Sequence, residues 1–356
     1  MTKSITILFF MVLMSLVSFS QDKEAAKKLV DEGIAYHDKG DYNGAIARYD
    51  KALELDKDNV LALMEKAFSL LSLQKFDESI ACCKKAIASG KGENSLATAY
   101  VTYGNALDGL KKTDQAIDIY NEGIKGFPNY YQLYFNKGVT LTSVKKLDEA
   151  ILSFQKAISL KPAHASSHNG IARLLFVQNK RIPSLLAYCR FMVLEPQSDR
   201  AKENLVAIKS SMGANVKETG KNSVTISIDP ETLGDTTTGA KQKENSFASV
   251  DLLLSLASAS DFDKKNKRKS EIEKFISKFE TLCSMLKETQ KDNVGFYWEY
   301  YVPYFIELKD KDFIKTFAHL VFASSEDTDV IKWLKEHKEE TDNFYNWSKS
   351  YSWTSK

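Results

Sequence analysis

The sequence predicts an all-α protein: a solenoid of helical hairpins, five repeats plus a capping helix, then a separate, mainly helical C-terminal domain. Three observations predict it. One short pattern recurs down residues 26–198 at a nearly constant spacing. Only six prolines occur in 356 residues, and proline disrupts helix interiors. In the last third, Ile272, Phe275, Ile276, Phe279, Leu282 and Leu286 recur at helical intervals.

Residues 1–20 are expected to be a signal peptide. Lys3 precedes an apolar run from Ile5 to Phe19, and Ser18-Phe19-Ser20 supplies small residues for cleavage before Gln21. The run is short for a spanning helix, which needs about 20 apolar residues; an uncleaved anchor is the other reading. Cleavage removes Lys3 and takes the net charge from +2 to +1. The expected location is the periplasm or cell envelope of a bacterium, with no membrane attachment afterwards. Near-neutral charge also leaves no nucleic-acid footprint. Cys82, Cys83, Cys189 and Cys283 are adjacent or far apart, and read as small buried hydrophobes rather than a disulfide framework.

The pattern is LDEAILSFQKAISLKP, from Leu147 to Pro162. Its relatives start at Tyr42, Phe76, Thr113 and Ile182. Each follows a helix with a small residue, Gly33, Ala67, Gly104, Gly138 or Ala172, at separations of 34, 37, 34 and 34. From Gly33, small Ala45, bulky Tyr49 and small Ala52 follow. Gly104 leads in the same steps to Ala116, Tyr120, Gly123 and Pro128, and Gly138 to Ala150, Phe154, Ala157 and Pro162. Two helices cross closely where one offers a small side chain and the other a large one.

These steps resemble the tetratricopeptide repeat family, over Ala26 to Ser198. The resemblance implies helix–turn–helix units stacked into a superhelix, with a capping helix from Asp199 to Met212. The array is assigned to residues 26–212. Departures are Ser79 and Ser184 for alanine, Cys83 for an aromatic, and Phe191 for a small residue. Pro183 falls near a helix start, where proline is tolerated.

The resemblance further implies a concave groove, lined by the first helices, for a peptide or helix. The residues so placed are Val30, Ile34, Met64, Phe68, Leu71, Val101, Asn105, Phe135, Val139, Asn169, Arg173 and Phe176. They make an apolar face in which Asn105 and Asn169 could hold a partner's backbone. Family members that clamp a C-terminal carboxylate use lysine and asparagine where this chain has Val30 and Ile34.

Residues 213–245 are rich in Gly, Thr and Lys and read as a linker. Within it SVTISID alternates as a strand does, and a lone strand must pair or stay extended. Helices return over 246–356. FYWEYYVPYF reads as core aromatics rather than a ligand box around Glu299, with Pro303 expected to break or kink the helix.

No phosphate loop, nucleophile elbow or complete serine–lysine motif set occurs. His164 and His168 are four apart, but zinc needs three or four ligands. No catalytic residue, metal or cofactor is expected. The favoured function is a non-enzymatic scaffold of the bacterial envelope holding a protein or peptide. The other reading is a ligand-binding or enzymatic C-terminal module, using Trp298, Glu299 or His319, with the repeats as docking arm. In a third, the C-terminal helices occupy the groove themselves.

Overall fold

The structure, a computed structural model, describes residues 21–90, 92–220, 223–227 and 244–353. The expected signal peptide lies outside them. The chain divides into two compact units between Ser153 and Phe154. The expected linker, 213–245, falls within the second unit, and its residues 221–222 and 228–243 lie outside those described.

The first unit is made of antiparallel helices. Helix α1 runs through residues 21–38, followed by α2 (Tyr42–Leu55), α3 (Val60–Ser72), α4 (Phe76–Ser89), α5 (Glu93–Gly109), α6 (Thr113–Gly126) and α7 (Tyr131–Ser143). Helix α8 (Leu147–Leu160) crosses the division. The small-to-large pattern is steric. A Cβ on Gly33 would sit 2.3 Å from Tyr49 Cε1, and one on Gly104 would sit 2.3 Å from Tyr120 Cε1. Where the small residue is Ala67, its own Cβ takes that space, and Cys83 replaces the ring in the same cluster.

The serine departures also have a cause. Ser79 Oγ donates to the Ala67 carbonyl at 2.8 Å, and Ser184 Oγ donates to the Ala172 carbonyl at 2.9 Å. Both hydroxyls are buried, so each bond satisfies a polar group and ties the two helices of a hairpin together.

Every hairpin turns the same way. Gly40, Gln74, Lys111, Lys145 and Asn179 all have positive φ, between 57° and 79°. One residue later, the amide of Lys75 donates to the Leu70 carbonyl. Asp41 with Tyr36, Lys112 with Leu107, Lys146 with Leu141 and Lys180 with Leu175 repeat the bond. This is the six-to-one bond that closes a helix with a left-handed residue. Asp41 and Asn59 cap α2 and α3 through side-chain oxygens.

In the second unit, α9 (Ala165–Val177) and α10 (Arg181–Leu194) form the last hairpin, and α11 (Asp199–Gly213) follows as the expected cap. Pro183 lies in the first turn of α10. The SVTISID segment does pair: Ser223–Ile226 lies antiparallel to Val216–Gly220. Helices α12 (Ala248–Ala259), α13 (Glu271–Thr289), α14 (Phe296–Asp310), α15 (Ile314–Val321), α16 (Thr328–Glu336) and α17 (Lys338–Ser350) complete it. Ser270 and Glu273 form a capping box at the start of α13. Helix α14 is continuous through Pro303, so of the expected break or kink the break does not occur. The carbonyl Pro303 leaves unbonded is that of Glu299, an exposed position, where water can serve it.

The aromatic segment is core. Trp298, Tyr301, Tyr304 and Phe305 are buried, and Phe275, Phe279, Phe305 and Phe317 pack ring on ring at 4.8–6.1 Å. This core also meets the repeats of its own unit. His168 of α9 bonds Tyr301 of α14 at 2.7 Å. Arg190 of α10 donates to Tyr304 and Ser348 and lies over the Trp353 ring. Tyr300 donates to the Ile158 carbonyl at 3.2 Å. At the other end of α10, Arg181 donates to the Ser211 carbonyl and to Asp251 and Ser255 of α12. Every residue of α10 from Ile182 to Val193 is buried. The C-terminal helices are thus built onto the last hairpin.

Candidate partner-binding face

In the first unit, the helices α1, α3, α5 and α7 present the residues that the repeat spacing aligns. Phe68 and Val139 are each 46% exposed. Ile34, Leu71, Val101, Asn105 and Phe135 are half-buried beside the helix packing. Val30 and Met64 are different: at 1% and 3% exposure they are core. They face the next helix, so they support the surface rather than line it.

His37 belongs to this face and was missed in the sequence. Its ring stacks on Phe68 at 4.7 Å, and its Nδ1 shares a 2.7 Å hydrogen bond with Ser69 Oγ. The offset that selects Leu71 and Phe176 also selects His37 in the first copy. Asn105 accepts from the Tyr120 hydroxyl at 2.7 Å, which fixes its carbonyl oxygen and leaves its NH2 to donate. Two carboxylates, Glu65 and Asp38, stand close together here. Burial, then the Asp38 carboxylate, push the Glu65 carboxyl above its usual range. Glu65 precedes Phe68 by one helical turn.

In the second unit, three expected groove residues have other neighbours. Asn169 is buried and accepts from Asn204 of α11 at 3.0 Å; it holds the capping helix, a correction to the expected role. Arg173 is exposed and lies 3.6 Å from Glu203. Phe176 is 39% exposed, edge-on to Tyr188. Because the C-terminal helices cover α10, Arg173 and Phe176 stay open within this unit, and no C-terminal residue lies on them there among the contacts described.

The residues of the enzymatic reading are engaged separately. Trp298 donates to the Ser246 carbonyl and stacks on Phe247. Glu299 is exposed and accepts from the Gly295 amide. His319 stacks on Trp333 at 3.8 Å. His164 bonds Ser167, and among the described residues no three His, Cys, Asp or Glu side chains are grouped to hold a metal. All four cysteines are free and buried. No helix among the described residues is long and apolar enough to cross a membrane.

His168 is a polar keystone. Its Nε2 lies 2.9 Å from the Pro162 carbonyl, an acceptor only, so Nε2 carries the proton and Nδ1 accepts from Tyr301. Burial, then the Arg190 charge, hold its pKa down to about 3. The unfolded imidazole takes up a proton near pH 6.5 while the folded one does not. Acid therefore favours unfolding, and stability falls as pH drops from about 6.5 towards 3. His168→Gln is expected to lower stability at pH 7 and to flatten this slope. Urea melts of both proteins at pH 7 and pH 4.5 check it; parallel losses would contradict a buried neutral histidine.

Residues 33–73 match a family model described as TPR repeat, and residues 97–129 and 131–164 match one described as tetratricopeptide repeat. Among curated proteins, the chain is similar to an Hsp70-Hsp90 organizing protein of Triticum aestivum, 28% identical over 61% of this chain and 38% of that protein. It is also similar to a Protein STIP1 homolog of Dictyostelium discoideum, 30% identical over 37% of this chain and 24% of that one. The chain thus spans well under half the length of these relatives. Among solved structures, it resembles pilF of Pseudomonas aeruginosa, with 22% identity, a TM-score of 0.44, and 54% of this chain and 90% of that one covered. It also resembles YrrB, described as a TPR protein with an unusual peptide-binding site, with 20% identity, a TM-score of 0.38, and 53% and 95% covered. Proteins built from these repeats mediate protein–protein interaction. Repeat spacing, helical hairpins and matched repeat models agree: residues 33–73, 97–129 and 131–164 of this chain are tetratricopeptide repeats.

Proposed function

We propose that this protein is a non-enzymatic scaffold exported to the bacterial cell envelope, and that the face formed by α1, α3, α5 and α7 holds an apolar peptide or helix bearing a basic residue. The carrying observation is the pair of exposed apolar side chains, Phe68 and Val139, on a face where the stacked His37 ring pre-orders Phe68. The half-buried Ile34, Leu71, Val101 and Phe135 extend that pair along the same face, and contiguous apolar surface marks interaction sites. The raised carboxyl of Glu65 beside Asp38 favours a cation in the partner. The apolar, cleavable character of residues 1–20 supports export.

The names of the curated relatives suggest a chaperone as partner. The composition of this face argues against an acidic one. Val30 and Ile34 stand where clamping members carry lysine and asparagine, and Glu65 and Asp38 repel a carboxylate.

The test is capture of partners on immobilised Gln21–Lys356 from envelope extract, beside Phe68→Glu/Val139→Glu. Both substituted positions are exposed, so the fold is retained. A partner held by the parent is expected to bind at least tenfold more weakly to the variant, since two anchors of about 1 kcal/mol or more are lost. An acidic C-terminal peptide is expected not to compete. Capture indifferent to the variant, or displaced by that peptide, would overturn the proposal.

A further inference from the structure

Away from the repeat face, the second unit contains a cavity of about 470 Å³ between α11, the β-hairpin and α13. That size falls among ordinary small-ligand clefts, about 300–1,000 Å³. Four lysines and three carboxylates line it, a net of +4 − 3 = +1. Its apolar wall holds Met212, Phe275 and Phe322. These three are buried, and Phe275 meets Phe322 edge-to-face at 5.5 Å, so the wall is rigid.

The lysines are of two kinds. Lys267 bonds Glu218 and Lys278 bonds Asp261, both at 2.6 Å. Those ammoniums are committed. Lys209 and Lys274 flank one carboxylate, Glu271, at 4.0 Å and 3.9 Å, beyond hydrogen-bond reach. Lys209 also lies 5.2 Å over the Phe322 ring, beside the apolar wall. Glu271 is 65% exposed in its side chain and can turn to water. Two ammoniums with donors to spare thus stand at the edge of a rigid aromatic wall.

We propose that this cavity binds a small amphiphilic carboxylate, its head between Lys209 and Lys274 and its apolar body against Phe275 and Phe322. The head displaces the Glu271 side chain, an internal competitor, to solvent.

Titration calorimetry of the full chain with 4-phenylbutyrate tests this, with inorganic phosphate and 4-phenylbutanol as separate arms. Saturable binding of 4-phenylbutyrate is expected, with both other arms weaker. Lys209→Met/Lys274→Met is expected to lose at least about tenfold in affinity, because each charge-assisted bond is worth roughly a decade. Glu271→Gln is expected to tighten binding a few-fold, the size of a surface ion-pair effect, about 0–1 kcal/mol. The two variants move in opposite directions, which a general loss of structure cannot imitate. No saturable binding, equal binding of phosphate or 4-phenylbutanol, or an affinity unmoved by the double lysine variant would overturn the proposal.

Discussion

A chain ending at Gly213 is expected to lose its last repeat hairpin, or to aggregate, although it retains all five repeats and the capping helix. Helix α10 is buried from Ile182 to Val193, and part of that cover comes from α12, α14 and α15. Removing those helices uncovers apolar side chains of α10, at about 1.5–3 kcal/mol each. Three such side chains approach 5–9 kcal/mol, comparable with the entire stability of a typical domain, about 5–15 kcal/mol. Arg190 would also lose Tyr304, Ser348 and Trp353 together, and Arg181 would lose Asp251 and Ser255. Circular dichroism and soluble yield of Gln21–Gly213 beside Gln21–Lys356 check it. A truncated chain that is soluble, and whose helix content equals the repeat share of the parent, would contradict the packing.

Gly104→Leu is expected to destabilise the first unit by about 3 kcal/mol, at the upper end of ordinary overpacking costs. The first added carbon meets Tyr120 Cε1 at 2.3 Å and Cζ at 2.5 Å. Tyr120 is fully buried, with its hydroxyl held by Asn105, so the ring cannot swing aside without losing that bond. Leucine's better helix propensity returns only about 0.8–1 kcal/mol. Tyr120→Ala alone removes a buried ring, at about 3–5 kcal/mol. The double variant should cost less than the sum by about 1 kcal/mol or more, because leucine fills vacated space. Denaturant melts of the four proteins measure the coupling. Strict additivity would mean that the two positions do not share one volume.

The hairpins were legible because their constraint is steric and local in register. A glycine facing a tyrosine leaves a mark at fixed spacing, and the period multiplies it. Cys83, Ser79 and Ser184 broke the pattern in sequence but obey the same space-filling rule in the fold. The turns were less legible. Gln74, Lys111, Lys145 and Asn179 take left-handed backbone without the glycine that usually announces it; the closing hydrogen bond outweighs a cost of about 1–2 kcal/mol.

The face was partly legible. The period places equivalent residues on one side of each first helix, but not what covers them. Asn169 aligns with Phe135, yet α11 supplies Asn204 to it, because the final repeat meets a cap instead of another repeat. The union of the C-terminal helices with α10 was illegible for a simpler reason. His168 and Tyr301 are 133 residues apart, and no spacing rule joins them. Neither residue type is unusual where it stands, and the linker-like composition of 213–245 pointed to separation instead.

A repeat array normally frays from both ends, since each unit leans only on its neighbours. The enclosure of α10 opposes that fraying at the fifth repeat. To release the last hairpin the protein must also open the aromatic core that Tyr301 and Tyr304 belong to. Within the second unit the fifth repeat therefore behaves as an anchored root, whose hairpin opens only together with that aromatic core.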